Sequence, residues 1–306
     1  MSKSILGIDI GYGDVKISFL SREGELKKFK FSSIVAEAPF EAIDMPMLEG
    51  RRYFMEEEAL MRDARDIVEI TNYQHLEKFA VLFLWKAIEK LGVKAEDIDF
   101  IVTGLSLAQY GNGDGFKKRL SKFKINKDTF DFTGKVSLLA QGLGAKYAID
   151  KNFEENSLAY LLIDIGFSTI DVVDVINGKV RPENIKGYEN EGIIKIARNL
   201  QDYILETFGE IVSLKETKEI LKSKKFIIEG KVNDLSAYIA EVSKKYTEQT
   251  MITLKKRYER EFKKYSKVYF VGGGAYFIDE SISPIIQAVE EPEYYNSLGN
   301  LYFKEK

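Results

Sequence analysis

Two aspartates stand where an apolar strand ends, and each is followed at once by a glycine-bearing turn. The first is Asp9, after Ile5–Ile8 and before Gly11-Tyr12-Gly13; the second is Asp164, after Tyr160–Ile163 and before Gly166-Phe167-Ser168-Thr169. Each turn leads into a second apolar run, Val15–Leu20 and Ile170–Ile176, and then into a polar turn, Ser21–Gly24 and Asn177-Gly178. An aspartate closing an apolar strand is costly to bury without a partner. Beside turns rich in backbone N–H groups, two such carboxylates suit a phosphate chain and hydrated Mg2+, which keeps its waters and takes one or two carboxylates plus phosphate oxygens. Facing each other across a cleft, the turns would hold that chain between them. Lys16 falls on the returning strand, within reach of a terminal phosphate or solvated. Gly272-Gly273-Gly274, directly after Val268–Val271, either lets the backbone lie against a flat group such as an adenine ring or marks the entry to a helix.

Other chemistries are removed by residue type. The 306 residues include no cysteine and one histidine, His75, which excludes disulfides, thiolate catalysis, zinc–thiolate sites and histidine triads. A P-loop pattern is absent. Gly11-x-Gly13 lacks the third glycine of a dinucleotide fingerprint and is followed by a strand, not a helix; both glycines also read as plain turn residues. A net charge of −3 points to neither nucleic acid nor membrane, and 45% hydrophobic with 30% charged residues describes ample core under a charged surface. No apolar run approaches membrane-spanning length and the N-terminus has no signal-peptide core, so the expected location is the cytoplasm.

The half-length repeat predicts two domains in an α/β chain. In the first, strands are expected at Ile5–Ile10, Val15–Leu20 and Leu26–Phe31, a weakly patterned elaboration over 36–75, and a helix over Leu76–Leu91 stopped by Gly92. A buried strand over Ile98–Gly104, a loop over Asn112–Gly115, and strands over Phe123–Phe132 and Lys135–Leu139 follow. Gln141 leads a small-residue helix, Gly142–Ile149, and the polar stretch 150–157 is the expected boundary. In the second, the pattern predicts a turn at Tyr188–Gly192 and helices over Ile193–Phe208 and Leu214–Lys222. A hairpin over Phe226–Val232, one long helix over Leu235–Lys264, and helical segments at Ala275–Ile278 and Ile282–Val289 complete it. The basic stretch Lys255–Lys267, with Glu259 and Glu261 interspersed, reads as a solvated helix face rather than a DNA or membrane contact.

Strand-Asp-x-Gly-x-Gly, strand-Asp-x-Gly-x-[ST]-T-x-D and V-G-G-G, in this order and this far apart, resemble the two phosphate motifs and the adenosine motif of the actin/hexokinase/heat-shock-chaperone superfamily. Within it LGIDIGYGDVK, LLAQGLGAKYA, LLIDIGFSTIDV, VYFVGGGAYFI and the ending YYNSLGNLY look most like the prokaryotic actin-like proteins, the ParM-type plasmid-segregation actins and archaeal actin-like proteins. The resemblance implies an actin-like fold: two related domains, 1–150 with about 287–306 and 151–286, each a mixed five-stranded-type sheet flanked by helices, with a nucleotide cleft between. It implies catalytic roles for Gln141, which would position the attacking water, and for Asp9 and Asp164, which would hold Mg2+ through water. Gly11, Tyr12, Gly13 and Lys16 would embrace the β- and γ-phosphates, Gly166, Ser168 and Thr169 would form the opposing loop, and Asp171 matches the family's second aspartate there. Gly272, Gly273 and Gly274 would border the adenosine, with Glu191, Lys218 and Glu219 on the purine side. Phe167 departs from the glycine or polar residue of many relatives. The implied function is an ATPase, with ATP or GTP and Mg2+ bound, that assembles with itself into filaments and reaches DNA through an adaptor protein. The alternatives are a small-molecule kinase or phosphatase of the superfamily, which needs a carboxylate near Gln141, and a non-filamentous nucleotide-dependent regulator.

Overall fold

The computed structural model describes residues 3–62, 66–70, 72–153, 159–265, 267–287 and 289–305. The chain forms two compact units: Met1–Asn156 with Ile185–Gly187 and Glu293–Lys306, and Ser157–Asn184 with Tyr188–Pro292. Of the expected boundary at 150–157, residues 150–153 belong to a helix and 154–157 lie outside the described residues.

Unit 1 opens with β1 (Ile5–Ile10), β2 (Asp14–Leu20) and β3 (Leu26–Ser32), an antiparallel meander. Every residue of β1 is buried, as its unbroken apolar run requires of a strand covered on both faces. The stretch expected to be a weakly patterned elaboration is a small sheet of its own, ordered β5-β6-β4-β7: β4 (Ile34–Ala38), β5 (Met47–Leu48), β6 (Arg51–Met55) and β7 (Ile67–Glu69), with the short helix α1 (Glu56–Leu60) between the last two. Its core is one small cluster of five buried residues, Ile34, Ala36, Ala38, Phe54 and Ala59, and pairs this short leave little alternation to read.

Helix α2 (Tyr73–Leu91) begins one turn earlier than its apolar pattern, because the Asn72 side chain accepts from His75 N at 2.9 Å; Gly92 ends it in the left-handed conformation. It covers β1 with Phe79 and Phe83 in the same apolar cluster as Ile8 and Ile17. The buried strand β8 (Phe100–Leu105) pairs parallel with β1. The expected loop at Asn112–Gly115 is instead the start of α3 (Gly113–Ser121), held by buried Phe116 and Leu120, two residues too sparse to show a period. The expected single strand at Phe123–Phe132 is a hairpin, β9 (Lys122–Ile125) and β10 (Asp128–Asp131), turned at Asn126 with φ 57°. Strand β11 (Val136–Ala140) completes the sheet in the order β11-β8-β1-β2-β3, and α4 (Leu143–Phe153) follows.

Unit 2 repeats this plan. Strands β12 (Tyr160–Ile165), β13 (Thr169–Ile176) and β14 (Lys179–Val180) form an antiparallel meander; a short strand, β15 (Lys186–Glu189), comes next. Helices α5 (Ile194–Phe208) and α6 (Leu214–Ser223) lead to the hairpin β16 (Lys225–Ile228) and β17 (Lys231–Asp234). The expected long helix is broken: α7 (Ser236–Arg257) and α8 (Glu259–Lys264) are parted at Tyr258, whose φ of −119° and ψ of 37° leave the helical region while its ring stays buried. Strand β18 (Lys267–Val271) pairs parallel with β12, and β19 (Ile286–Gln287) parallel with β18, where a helix was expected over Ile282–Val289. The order β14-β13-β12-β18-β19 therefore matches β3-β2-β1-β8-β11 in position and sense. Residues 287–292 stay with unit 2, and α9 (Tyr295–Glu305) returns to unit 1.

Candidate phosphate-binding loops

In unit 1, β1 and β2 are registered so that Asp9 lies opposite Lys16. Directly opposed residues share a face of the sheet, and the Lys16 ammonium is 3.5 Å from Asp9 Oδ2. Gln141, placed by the end of β11, donates Nε2–H to Asp9 Oδ1 at 2.7 Å. An ionised carboxylate only accepts, so it must face the NH2 side of the amide; the Gln141 carbonyl oxygen then faces away as a hydrogen-bond acceptor. The turn between β1 and β2 is gripped by Ser33: its hydroxyl donates to Gly11 O at 2.6 Å and its N–H to Gly13 O at 3.0 Å. In a trans peptide the C=O and the next N–H point to opposite sides. Drawing the Gly11 carbonyl toward Ser33 therefore turns the Tyr12 N–H the other way.

Unit 2 uses a different holder for the same result. The carbonyls of Gly166, Phe167 and Ser168 accept from Ile193 N at 3.2 Å, Ile194 N at 2.7 Å and Gly192 N at 3.4 Å, at the start of α5. The amides of Phe167 and Ser168 are thereby turned away from α5, as a phosphate-binding turn requires. A side chain on Gly192 would strike the Gly166 oxygen, its Cβ falling 2.5 Å away, which is why the helix can approach this closely. Asp164 lies opposite Asp171 in the β12–β13 register, and both are buried. The repeat thus carries Asp171 where the first copy has Lys16.

The glycine run after β18 is placed against this strand end. Gly272, at φ +81°, donates to Pro292 O at 2.9 Å, and an added Cβ would lie 2.3 Å from Asp164 Oδ1. Gly274 donates to Ile165 O at 2.8 Å, and its Cβ would meet Ile165 Cγ2 at 2.2 Å. Nothing lies within 4 Å of the position a Gly273 Cβ would take. The segment enters a short 3-10 turn, Ala275–Phe277, not an α-helix.

The residues expected on the purine side are less unified. Lys218 of α6 stacks its ammonium 4.1 Å from the Phe167 ring centre, tying α6 to the phosphate turn. Glu191 pairs with Lys195, and its carbonyl accepts from the Tyr246 hydroxyl at 3.0 Å. Burial raises the Tyr246 hydroxyl above its ordinary range, so it is held as a donor. Glu219 pairs with Lys222 at 3.1 Å, both more than half exposed. Unit 1 therefore gathers Asp9, Gly11, Tyr12, Gly13, Lys16 and Gln141. Unit 2 gathers Asp164, Gly166, Ser168, Thr169, Asp171, Gly272 and Gly274, with Lys218 attached through Phe167. Ser33 and Gly192 were not foreseen, since a lone serine after a strand and a lone glycine before a helix carry no pattern.

Mg2+ fits the donor set. Among the described residues no group of three or more His, Cys, Asp or Glu side chains could hold a metal. Each turn sets one buried aspartate, Asp9 or Asp164, beside outward amides, and a carboxylate so placed suits an ion that keeps most of its waters. In the basic stretch, Arg257 lies over the Tyr188 ring at 4.3 Å, Lys263 pairs with Glu259, and buried Glu261 accepts from Asn184 at 3.1 Å. Among the described residues no helix is long and apolar enough to cross a membrane.

A family model of the N-terminal domain of actin-like proteins matches residues 7–144, and a model of the archaeal MreB-like actin homologue C-terminal domain matches 162–284. The chain is a prokaryotic actin-like protein. Its fold is that of a ParM from a 15-stranded Clostridium botulinum filament, with a TM-score of 0.80 at 18% identity over 100% of this chain and 99% of that one. The archaeal actin homologue Ta0583 in complex with ADP superposes at a TM-score of 0.77 and 17% identity over 99% of each chain. Bacillus thuringiensis ParM with ATP does so at 0.64 and 17% over 98% of each. No curated protein matches this actin-like chain.

Proposed function

We propose that this actin-like protein binds Mg-ATP through both phosphate turns, hydrolyses it, and assembles with itself into filaments whose lifetime the hydrolysis sets. The observation that carries the reading is the matched pair of turns. In each unit the carbonyls are engaged from behind, by Ser33 or by the start of α5, and amides are turned outward beside a buried aspartate. Asp9 and Asp164 would hold Mg2+ through its waters, and the ion would offset the charge of the phosphates. Tyr12, Phe167 and Ser168 offer main-chain N–H groups to phosphate oxygens, Gly11, Gly13 and Gly166 give the turns their form, and Lys16 adds a point charge. Ser168 and Thr169 supply hydroxyls. Gln141, held through its nitrogen, presents its carbonyl oxygen to orient water; a glutamine is no base, and phosphoryl transfer depends mainly on orientation and charge. That residue also favours hydrolysis over a kinase reading. Gly273, the one unobstructed glycine of its run, would border the adenosine, with Glu191, Lys218 and Glu219 on the purine side.

Assembly is supported by the likeness to a ParM solved as a filament, and nucleotide binding by likenesses to homologues solved with ADP and ATP. Cytoplasmic segregation of DNA through an adaptor protein is the matching cellular role, and GTP is the alternative nucleotide. Titration calorimetry with Mg-ATP tests the site. Asp164→Ala is expected to lose Mg2+-dependent binding while keeping the wild-type circular dichroism spectrum; wild-type affinity in this variant would refute the assignment.

A further inference from the structure

We infer that the C-terminal helix α9 positions the hydrolytic glutamine: Asn296 and Asn300 fix the backbone on either side of the Gln141–Asp9 hydrogen bond. The inference rests on the role proposed above for Gln141. Its starting point is a missing cap. Gly142, at φ +82°, turns the chain between β11 and α4 and has no side chain with which to satisfy the first amides of the helix. Asn296 does so from another helix, its Oδ1 accepting from Gly142 N at 3.0 Å and from Ala145 N at 3.3 Å. On the other side the Gln141 N–H donates to Leu105 O at 2.7 Å. The main chain of Gln141 is thus tied to β8 before its Cα and to α9 after it.

One turn further along α9, Asn300 donates to Ile8 O at 3.3 Å, the residue before Asp9. Between them, Ser297 bonds to Ser18 at 2.8 Å on β2. Asn296, Ser297 and Asn300 are all buried, where polar side chains are costly unless bonded. What they bond is the backbone of β1 and of the β11–α4 turn and a side chain of β2, the three segments that carry Asp9, Gln141 and Lys16. The helix is close enough to do this because Gly299 meets Gly144: an added Cβ on Gly299 would fall 1.5 Å from Gly144 O. Asn296 acts on Gln141 through the main chain at Gly142 and Ala145, so it is a positioning residue.

Two readouts separate positioning from mere stability. In the nucleotide-free, 15N-labelled full chain, the Gln141 side-chain amide, assigned by its loss in Gln141→Ala, should resonate as a donor to a carboxylate. Asn296→Ala should move it toward a solvent-exposed glutamine, and Asn296→Asp, which keeps an acceptor for both amides, should leave it in place. In steady-state ATP hydrolysis, Asn296→Ala should lower kcat about ten- to a hundredfold with KM within about twofold of wild type, as a shift of an ångström or less at a reacting group does. Asn296→Asp should recover most of that loss. An unmoved amide with wild-type kcat in Asn296→Ala overturns the inference, and so does an equal fall of melting temperature and KM-dependent binding in both variants. If Asn296→Ala does not fold, Asn300→Ala reads the same amide through Asp9, and no movement there is equally decisive against it. A wild-type chain that hydrolyses no nucleoside triphosphate would sink the proposed function, while the amide resonance would still decide whether α9 positions Gln141.

Discussion

Gln141 is bound by its nitrogen and offers its oxygen, and that polarity is imposed by Asp9, which can only accept. Removing the amide leaves Asp9 with Lys16 at 3.5 Å, so the phosphate turn keeps its charge balance. Gln141→Ala is therefore expected to bind ATP with near wild-type affinity and to hydrolyse it at least about tenfold more slowly. Phosphate release measured at saturating nucleotide checks this, and unchanged turnover would remove Gln141 from the mechanism. The aspartates and turn glycines were legible because a carboxylate closing an apolar strand is conspicuous. Ser33 was not: its bonds to Gly11 and Gly13 span some twenty positions and follow no periodicity. Asn296 and Asn300, more than 150 residues from the backbone that Asn296 caps, were noticed only as part of a resemblance.

Elements with long apolar periods, α2 and α5 among them, were readable from spacing, and so were strands buried on both faces. The misreadings share a cause, which is that a few tertiary contacts outweighed a weak local pattern. Phe116 and Leu120 hold α3 where glycine and asparagine suggested a loop, and Tyr258 interrupts a helical run whose composition gives no sign of a break. The glycine run after β18 is the instructive case, because its two readings part at the level of single positions. Gly272 and Gly274 are required by packing on Asp164 and Ile165, while Gly273 has open space beside it. Gly273→Ala should keep or slightly raise stability, by about 0.4–1 kcal/mol, and weaken nucleotide binding if that space is the adenosine's. Gly299→Ala, driven into Gly144, should cost about 3 kcal/mol or more. Chemical denaturation of the two variants beside nucleotide titration separates them: a Gly273→Ala chain with unaltered affinity would mark the run as a turn and nothing more.

For the molecule as a whole, strand order repeats between the units while the charge at one register position does not: Lys16 faces Asp9, and Asp171 faces Asp164. The two turns therefore differ in local charge, the first setting a lysine and the second a further aspartate beside the strand-end carboxylate. If assembly follows nucleotide state, each state of the lattice is favoured by its differential affinity, and the rate of hydrolysis sets how long a subunit stays in the assembling form. Filaments of Gln141→Ala formed in Mg-ATP should then outlive wild-type filaments. Light scattering after dilution, with electron microscopy of the same samples, measures this. Equal lifetimes would uncouple hydrolysis from disassembly, and a chain that hydrolyses ATP but stays monomeric would favour the non-filamentous reading.

The division of unit 1 between residues before Asn156 and residues after Glu293 has a consequence in time. During synthesis the strands carrying Asp9 and Gln141 emerge first, but the surface at Gly7 and Gly144 that α9 fills stays uncovered until unit 2 has been made. At about 5–20 residues per second the ribosome needs on the order of ten seconds for the stretch between. For that interval the nascent chain has its first phosphate turn but not the helix that caps the backbone after Gln141. On the function proposed above, ATP turnover would wait for the last helix, because Asn296 and Asn300 are made after both phosphate turns.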